Sequence, residues 1–283
     1  MKPDSRLRNA AKNIPPLYWL AGLVNYARFR MELSRENRMY RSGNLSKTPP
    51  PILRYRVHRA FDEDSYVRNG RTIAQCLAGA FGANGVHLKN LTILDFACGP
   101  GRVINEFSGF TESCALYGSD IDAEAIAWAQ SNLSDVALFS TNMASAPTRY
   151  ASDMFDSIYC VSLFTHLDEQ AQDEWLGEMA RLLKPNGVFV TTTHGCCAMD
   201  SCTPRELADL QRDGIVYRVD RKGKFKVDGL PDFYQTTFHA VDYVKKHWGR
   251  FLSVVDHIEG GLNGHQDIVV MRKSRVGAGC NPQ

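Results

Sequence analysis

The sequence predicts an α/β protein built on a doubly wound, mostly parallel sheet of seven strands with an antiparallel last strand, and three observations carry that prediction. Short apolar runs alternate with helical patterns from Leu91 to Thr192, a glycine-rich turn follows the first of those runs, and an Asn-Gly pair stands between the last two. The chain of 283 residues is 44% hydrophobic and 23% charged. That is enough apolar side chain for a full core and too much for a disordered polymer.

The first 60 residues read as a basic helical arm and linker, and residues 61–283 as the main domain. Pro3 to Ser42 has the pattern of one or two amphipathic helices, ended by Gly43-Asn44 and by Thr48-Pro49-Pro50-Pro51, which is expected to be a linker. The overall charge of +2 conceals an asymmetry: up to Ala60 there are 13 Lys and Arg against 3 Asp and Glu, and beyond it 20 against 28. Such a split suits an acidic partner or packing of the arm on its own acidic body. Arginines interleaved with Tyr26, Phe29, Met31, Leu33, Met39 and Tyr40 favour packing. Arg54 and Arg56, just past the prolines, are candidates to hold an anionic group of a substrate, or to pair with Asp62, Glu63 and Asp64. Leu17 to Val24 is far shorter than the roughly 20 apolar residues that span a bilayer, so no transmembrane segment is expected, although this stretch could pack on a twin chain. Pro15-Pro16 interrupts the one stretch that imitates a secretory leader, which points to a cytoplasmic protein.

Within the main domain, strands are expected at Leu91–Phe96, Ala115–Ser119, Val136–Ser140, Phe155–Val161 and Val188–Thr192, with helices at Arg102–Phe107, Ala123–Ser131 and Glu169–Leu183 between them. Val241–Phe251 reads as a helix, and Leu252–Ile258 and Ile268–Arg272 as two strands joined through Asn263-Gly264. Residues 195–240 break the alternation. A short helix at Pro204–Arg212 and a hairpin of Ile215–Arg218 with Lys224–Val227 are expected there, forming a lid after the fifth strand. An insertion at that point lies over the carboxyl ends of the strands, where open α/β sheets bind ligands.

The strand ending in Asp95 runs into Gly99-Pro100-Gly101 and a helix, a turn that aims backbone N–H groups at an anionic group. The fingerprint of nicotinamide and flavin proteins needs a third glycine three residues later, where this chain has Ile104. A second strand closes on Asp120, whose carboxylate suits the paired hydroxyls of a ribose. Ile93 to Arg102, Gly118 to Asp122, Ser140 to Met143, Phe155 to Cys160 and Arg181 to Gly187 resemble, in order, the motifs of class I S-adenosylmethionine-dependent methyltransferases, and Tyr234 to His239 with Gly264 to Asp267 are similar to a bacterial small-molecule and sugar subset of them.

The resemblance implies a Rossmann-like fold with S-adenosylmethionine as cofactor and S-adenosylhomocysteine as product. It places Asp95, Ala97, Cys98, Gly99 and Gly101 at the methionine part, Asp120 at the ribose, and Ile121, Asn142 and Met143 around the adenine, with the Cys160 carbonyl near the amino group. Ala97 stands where the family has glycine, a change the backbone tolerates if φ stays negative. Asn142 replaces a frequent aspartate. His194, His166 and His239 fall at strand ends or in the lid and are the candidate bases, and Tyr234, Gln235 and His265 are candidates to line the acceptor pocket. The expected reaction is O-methylation of a sugar or natural product, with N-methylation of an amine or peptide, or modification of RNA held by the basic arm, as alternatives. No series of exposed aromatic and basic residues resembles an RNA module, which argues against nucleic acid. No metal is expected: Cys196, Cys197 and Cys202 lie near His194, but adjacent cysteines do not match the usual paired ligand spacing.

Overall fold

The computed structural model describes residues 15–42, 48–219 and 230–274, and side chains from residue 22 onward. The described residues divide into two compact units, one of residues 15–42, 48–63 and 230–232, the other of residues 64–219 and 233–274.

In the first unit, helix α1 spans Pro15–Ser42 and α2 Pro51–His58. The expected proline linker is therefore short. Pro51 opens a helix instead of preventing one, because its fixed φ and missing N–H suit the first helical turn. Phe29, Tyr55 and Phe61 form an aromatic cluster with centroids 4.9 to 5.6 Å apart. The part of the expected arm before Pro15 lies outside the described residues.

The second unit holds the sheet. Helix α3 (Glu63–Ala83) leads to β1 (Thr92–Phe96), α4 (Arg102–Phe107), β2 (Ala115–Asp120), α5 (Ala123–Asn132), β3 (Leu138–Thr141), β4 (Phe155–Cys160), α6 (Glu169–Leu182) and β5 (Leu183–Thr193). Further on come α7 (Pro204–Asp213), β6 (Ile215–Arg218), β7 (Thr236–His239), α8 (Val241–His247), β8 (Ser253–Leu262) and β9 (Gln266–Arg272). Seven strands join in the order β3-β2-β1-β4-β5-β9-β8. The first five are parallel, and β9, the last in the chain, runs antiparallel to both β5 and β8.

Both faces of the sheet are covered, as two apolar layers require. Ile73, Leu77, Phe81, Val103, Ile104, Phe107, Ile126 and Ala129 fill one side. Phe155, Trp175, Leu176, Met179, Val244 and Trp248 fill the other. Asp122 and Asp168 cap α5 and α6 through their side chains. The β8–β9 turn has Asn263 and Gly264 both at positive φ, 56° and 67°, the geometry for which Asn-Gly is suited.

Strand β6 pairs antiparallel with β7; Lys224–Val227, the expected hairpin partner of Ile215–Arg218, lies outside the described residues. Thr203 and Glu206 form a reciprocal cap on α7, and Arg218 ties β6 back to Glu206 at 2.6 Å. Strand β7 then lies along the ends of β4 and β5: Gln235 N donates to His166 O at 3.0 Å, Thr237 N to Thr165 O at 2.7 Å, and His239 N to His194 O at 2.9 Å. Thr236–His239 is thus a strand whose backbone closes over the histidine loops.

Candidate active site

The glycine turn is held by β2. Ala97 N and Cys98 N both donate to Ser119 O, at 2.7 and 3.1 Å, and Gly99 N donates to Asp120 Oδ2 at 2.7 Å. Asp120 Oδ1 accepts Asp122 N at 2.8 Å, so its carboxylate braces the turn from one side and the start of α5 from the other. Three of the amides expected to face an anion are thereby directed at the protein itself. Ala97 has φ 64°, with Gly99 at 54° and Gly101 at 83°. The expectation that φ stays negative at Ala97 is overturned. An L-residue holds a left-handed conformation there at a cost of order 1 kcal/mol.

Asp95 closes β1 and is 2% exposed. Burial raises its pKa well above the usual carboxylate range, with Tyr159 and Arg102 opposing the shift and Asp120 adding to it. Its Oδ2 has no hydrogen-bond partner among the described residues. Such an atom is costly unless a ligand or water completes it, which fits a cofactor carrying an amino group. Burial also raises Asp120, while the N–H groups of Asp122 and Gly99 lower it. At the end of β3, Ser119 Oγ donates to Asn142 Oδ1 at 2.8 Å and Asn142 Nδ2 to Met143 O at 2.7 Å. Met143 is exposed, Ile121 is half-buried, and Cys160 is fully buried at the end of β4.

Arg102 was not singled out as a site residue by sequence. Its guanidinium reaches Asn69 Oδ1 at 2.8 Å, lies over the Tyr66 ring, and is drawn by Asp95 and Tyr234. A signal existed: an arginine at the first position of a helix opposes the helix dipole unless another group holds it.

Beyond β4 and β5 the structure collects histidines. The rings of His166 and His194 are 6.1 Å apart, those of His194 and His265 5.7 Å, and Tyr234 stacks on His166 at 4.1 Å. His194 is 9% exposed, and its Nδ1 meets Thr237 O at 3.1 Å. His166 Nδ1 meets Gln235 O. A carbonyl can only accept, so each Nδ1 carries the proton and each Nε2 is the basic nitrogen. Tyr234 Oη donates to Ser162 O at 2.9 Å, and Ser162 Oγ pairs with the Gln266 side chain at 3.0 Å. Ser162, at φ 59°, is a second residue that sequence reading passed over, because only the fold brings it to Gln266.

His239 is 1% exposed, bonded to Gln172 Oε1 at 3.0 Å, and pulled down to about 3 by burial and then by His194 and His257. It is a buried, neutral residue. Arg54, in the first unit, is 3% exposed and meets Thr48 Oγ1 at 2.9 Å and Glu63 at 3.4 Å, the acidic pairing that the sequence offered as its alternative. Arg56 is half-buried on α2 in the same unit, and Gln235 is buried, reaching His166 through its backbone.

Residues 93–187 match the protein family described as a methyltransferase domain. The fold is similar to the PH0226 protein of Pyrococcus horikoshii OT3, with TM-score 0.53, 16% identity, and 78% of this chain and 98% of that chain covered. It is similar also to magnesium protoporphyrin IX methyltransferase of Synechocystis PCC 6803 with bound SAH, at TM-score 0.50 and 15% identity, over 89% of this chain and 95% of that one. A third similar chain, solved in work on conversion of a disulfide bond into a thioacetal group in echinomycin biosynthesis, gives TM-score 0.50 and 14% identity, over 71% and 83% of the two chains.

Proposed function

We propose that this chain is a class I S-adenosylmethionine-dependent methyltransferase that methylates a small molecule, and that the accepting atom is an oxygen of a sugar or another hydroxylated natural product. The observation that carries the reading is the row of His166, His194 and His265 rings with Tyr234 stacked at its end. The Synechocystis protein acts, as its name says, on a porphyrin, which supports a small acceptor.

The cofactor supplies a methyl group on a positively charged sulfur. On this chain, Asp120 would meet the ribose, Asn142 and Met143 the adenine edge, and Asp95 and the turn from Ala97 to Gly101 the methionine part. Holding the acceptor in line with that methyl group is worth about 7 to 11 kcal/mol. His194, its Nδ1–H fixed by Thr237 O, presents Nε2 to take the hydroxyl proton as the oxygen attacks. Base catalysis of that kind contributes roughly 10² to 10⁴-fold. Tyr234 and Ser162 bound the same space and would orient the acceptor, with His166 holding Tyr234 by stacking.

The test is transfer of isotopically labelled methyl to a panel of hydroxylated sugars and phenols, amines, and RNA. Label is expected in the hydroxylated compounds, with turnover in His194→Ala falling 10² to 10⁴-fold at unchanged cofactor affinity. Label confined to amines or RNA would overturn the oxygen reading, and undiminished turnover in His194→Ala would remove the base.

A further inference from the structure

Directly after His194 the chain makes a second cluster that methyl transfer does not use. We propose that Cys196, Cys197 and Asp267 form a binding site for a soft divalent cation of the zinc type, with Glu259 beside Cys196 as a further donor. The sulfur atoms of Cys196 and Cys197 and a carboxylate oxygen of Asp267 all lie within 4.8 Å of one another. The two sulfurs are 3.8 Å apart, and Cys196 Sγ is 3.4 Å from Glu259 Oε2.

The sulfur–sulfur spacing is that of a coordination tetrahedron, and the Asp267 oxygen, within 4.8 Å of both sulfurs, has at most about 1.3 Å to close. With metal–sulfur bonds of about 2.3 Å and metal–oxygen bonds of about 2.0 Å, the tetrahedron's S···S edge is about 3.8 Å and its S···O edge about 3.5 Å. The sequence argued against a metal because adjacent cysteines do not match the usual paired ligand spacing. Here the short helical turn at Cys196–Ser201 sets both thiols side by side on the exposed surface.

The carboxylate is built in. Asp267 is fully buried, with Oδ2 at 2.9 Å from His257 Nε2 and Oδ1 accepting Gly260 N at 2.9 Å. A ligand fixed from behind by a histidine is the outer-shell arrangement that metal sites use to orient their donors. Two glycines make room for it. A Cβ on Gly195 would fall 1.8 Å from Asp267 Oδ2, and one on Gly260 would fall 3.2 Å from Cys197 Sγ. On binding, each thiol releases its proton to solvent as its sulfur bonds the metal, with no change of oxidation state. The ion would clamp the root of the lid, and with it His194, to the β8–β9 hairpin.

Cobalt(II) is the probe, titrated into the reduced full-length protein. One equivalent should produce a near-ultraviolet thiolate-to-cobalt charge-transfer band and tetrahedral visible bands, both abolished by zinc. Cys196→Ser and Cys197→Ser should each lose at least tenfold in affinity and weaken the near-ultraviolet band, while far-ultraviolet circular dichroism stays unchanged. Glu259→Gln should weaken binding less. A wild-type protein with no near-ultraviolet band would overturn the proposal, as would a band of undiminished intensity in both serine variants. Because the readout is spectral, it stands or fails separately from the methyl-transfer reading.

Discussion

The two ends of the active cleft are built by different kinds of contact. On the cofactor side, Asp120 accepts from Gly99 and from Asp122, positions 21 and 2 residues away. On the acceptor side, His166 is set by Gln235 across 69 residues, His194 by Thr237 across 43, and Ser162 by Gln266 across 104. The first side is a local device, one strand-turn-helix unit braced by the next strand. The second exists only when the lid and the final hairpin have folded onto the sheet.

That contrast can be broken at either end. The largest effect expected on the cofactor side is in Asp120→Ala, which removes the proposed ribose partner and leaves the N–H groups of Gly99 and Asp122 unsatisfied. Cofactor affinity should fall about 10 to 100-fold, while an assay at saturating cofactor recovers most of the turnover. Loss of turnover without loss of affinity would place Asp120 on the wrong side of the division.

A smaller effect comes from His239. Held down to about 3 from the ordinary 6.5 by burial, it stays neutral in the fold, whereas the unfolded chain takes up a proton as pH falls through 6.5. Its contribution to stability is therefore complete above that pH and is lost progressively toward pH 3. Between pH 7 and pH 5 the loss is about 2 kcal/mol. Denaturant unfolding at the two pH values should show this slope in the wild type and a flatter one in His239→Gln. Equal slopes would mean that His239 is not buried as the structure has it. Smallest is Ala97→Gly, which relieves the left-handed conformation at 64°. Melting should shift upward by about 2 °C for roughly 1 kcal/mol of strain removed. A downward shift would contradict the strain.

The sheet was legible because its central strands β1, β4 and the second half of β5, buried on both faces, stand out as apolar-rich runs, and Asn263-Gly264 specifies its own turn. The glycine turn was legible in position but not in conformation: the sequence shows the replacement at Ala97, and only the fold shows the sign of φ. Pairing in the lid was not legible, since Ile215–Arg218 has no local mark of its partner and finds Thr236–His239 through packing on α7. The histidines illustrate the same limit. All four lie near strand ends in sequence, yet His239 turns into the core against Gln172 and Trp248 while His166, His194 and His265 line up. Periodicity assigns a residue to an element, and long-range packing decides which space its side chain enters.

Calorimetric titration of S-adenosylmethionine into the wild type, Asp120→Ala and His194→Ala tests the division most directly. One equivalent should bind to the wild type and to His194→Ala with equal affinity, and to Asp120→Ala about 10 to 100-fold more weakly. No binding to the wild type, or weakened binding in His194→Ala with none lost in Asp120→Ala, would contradict it.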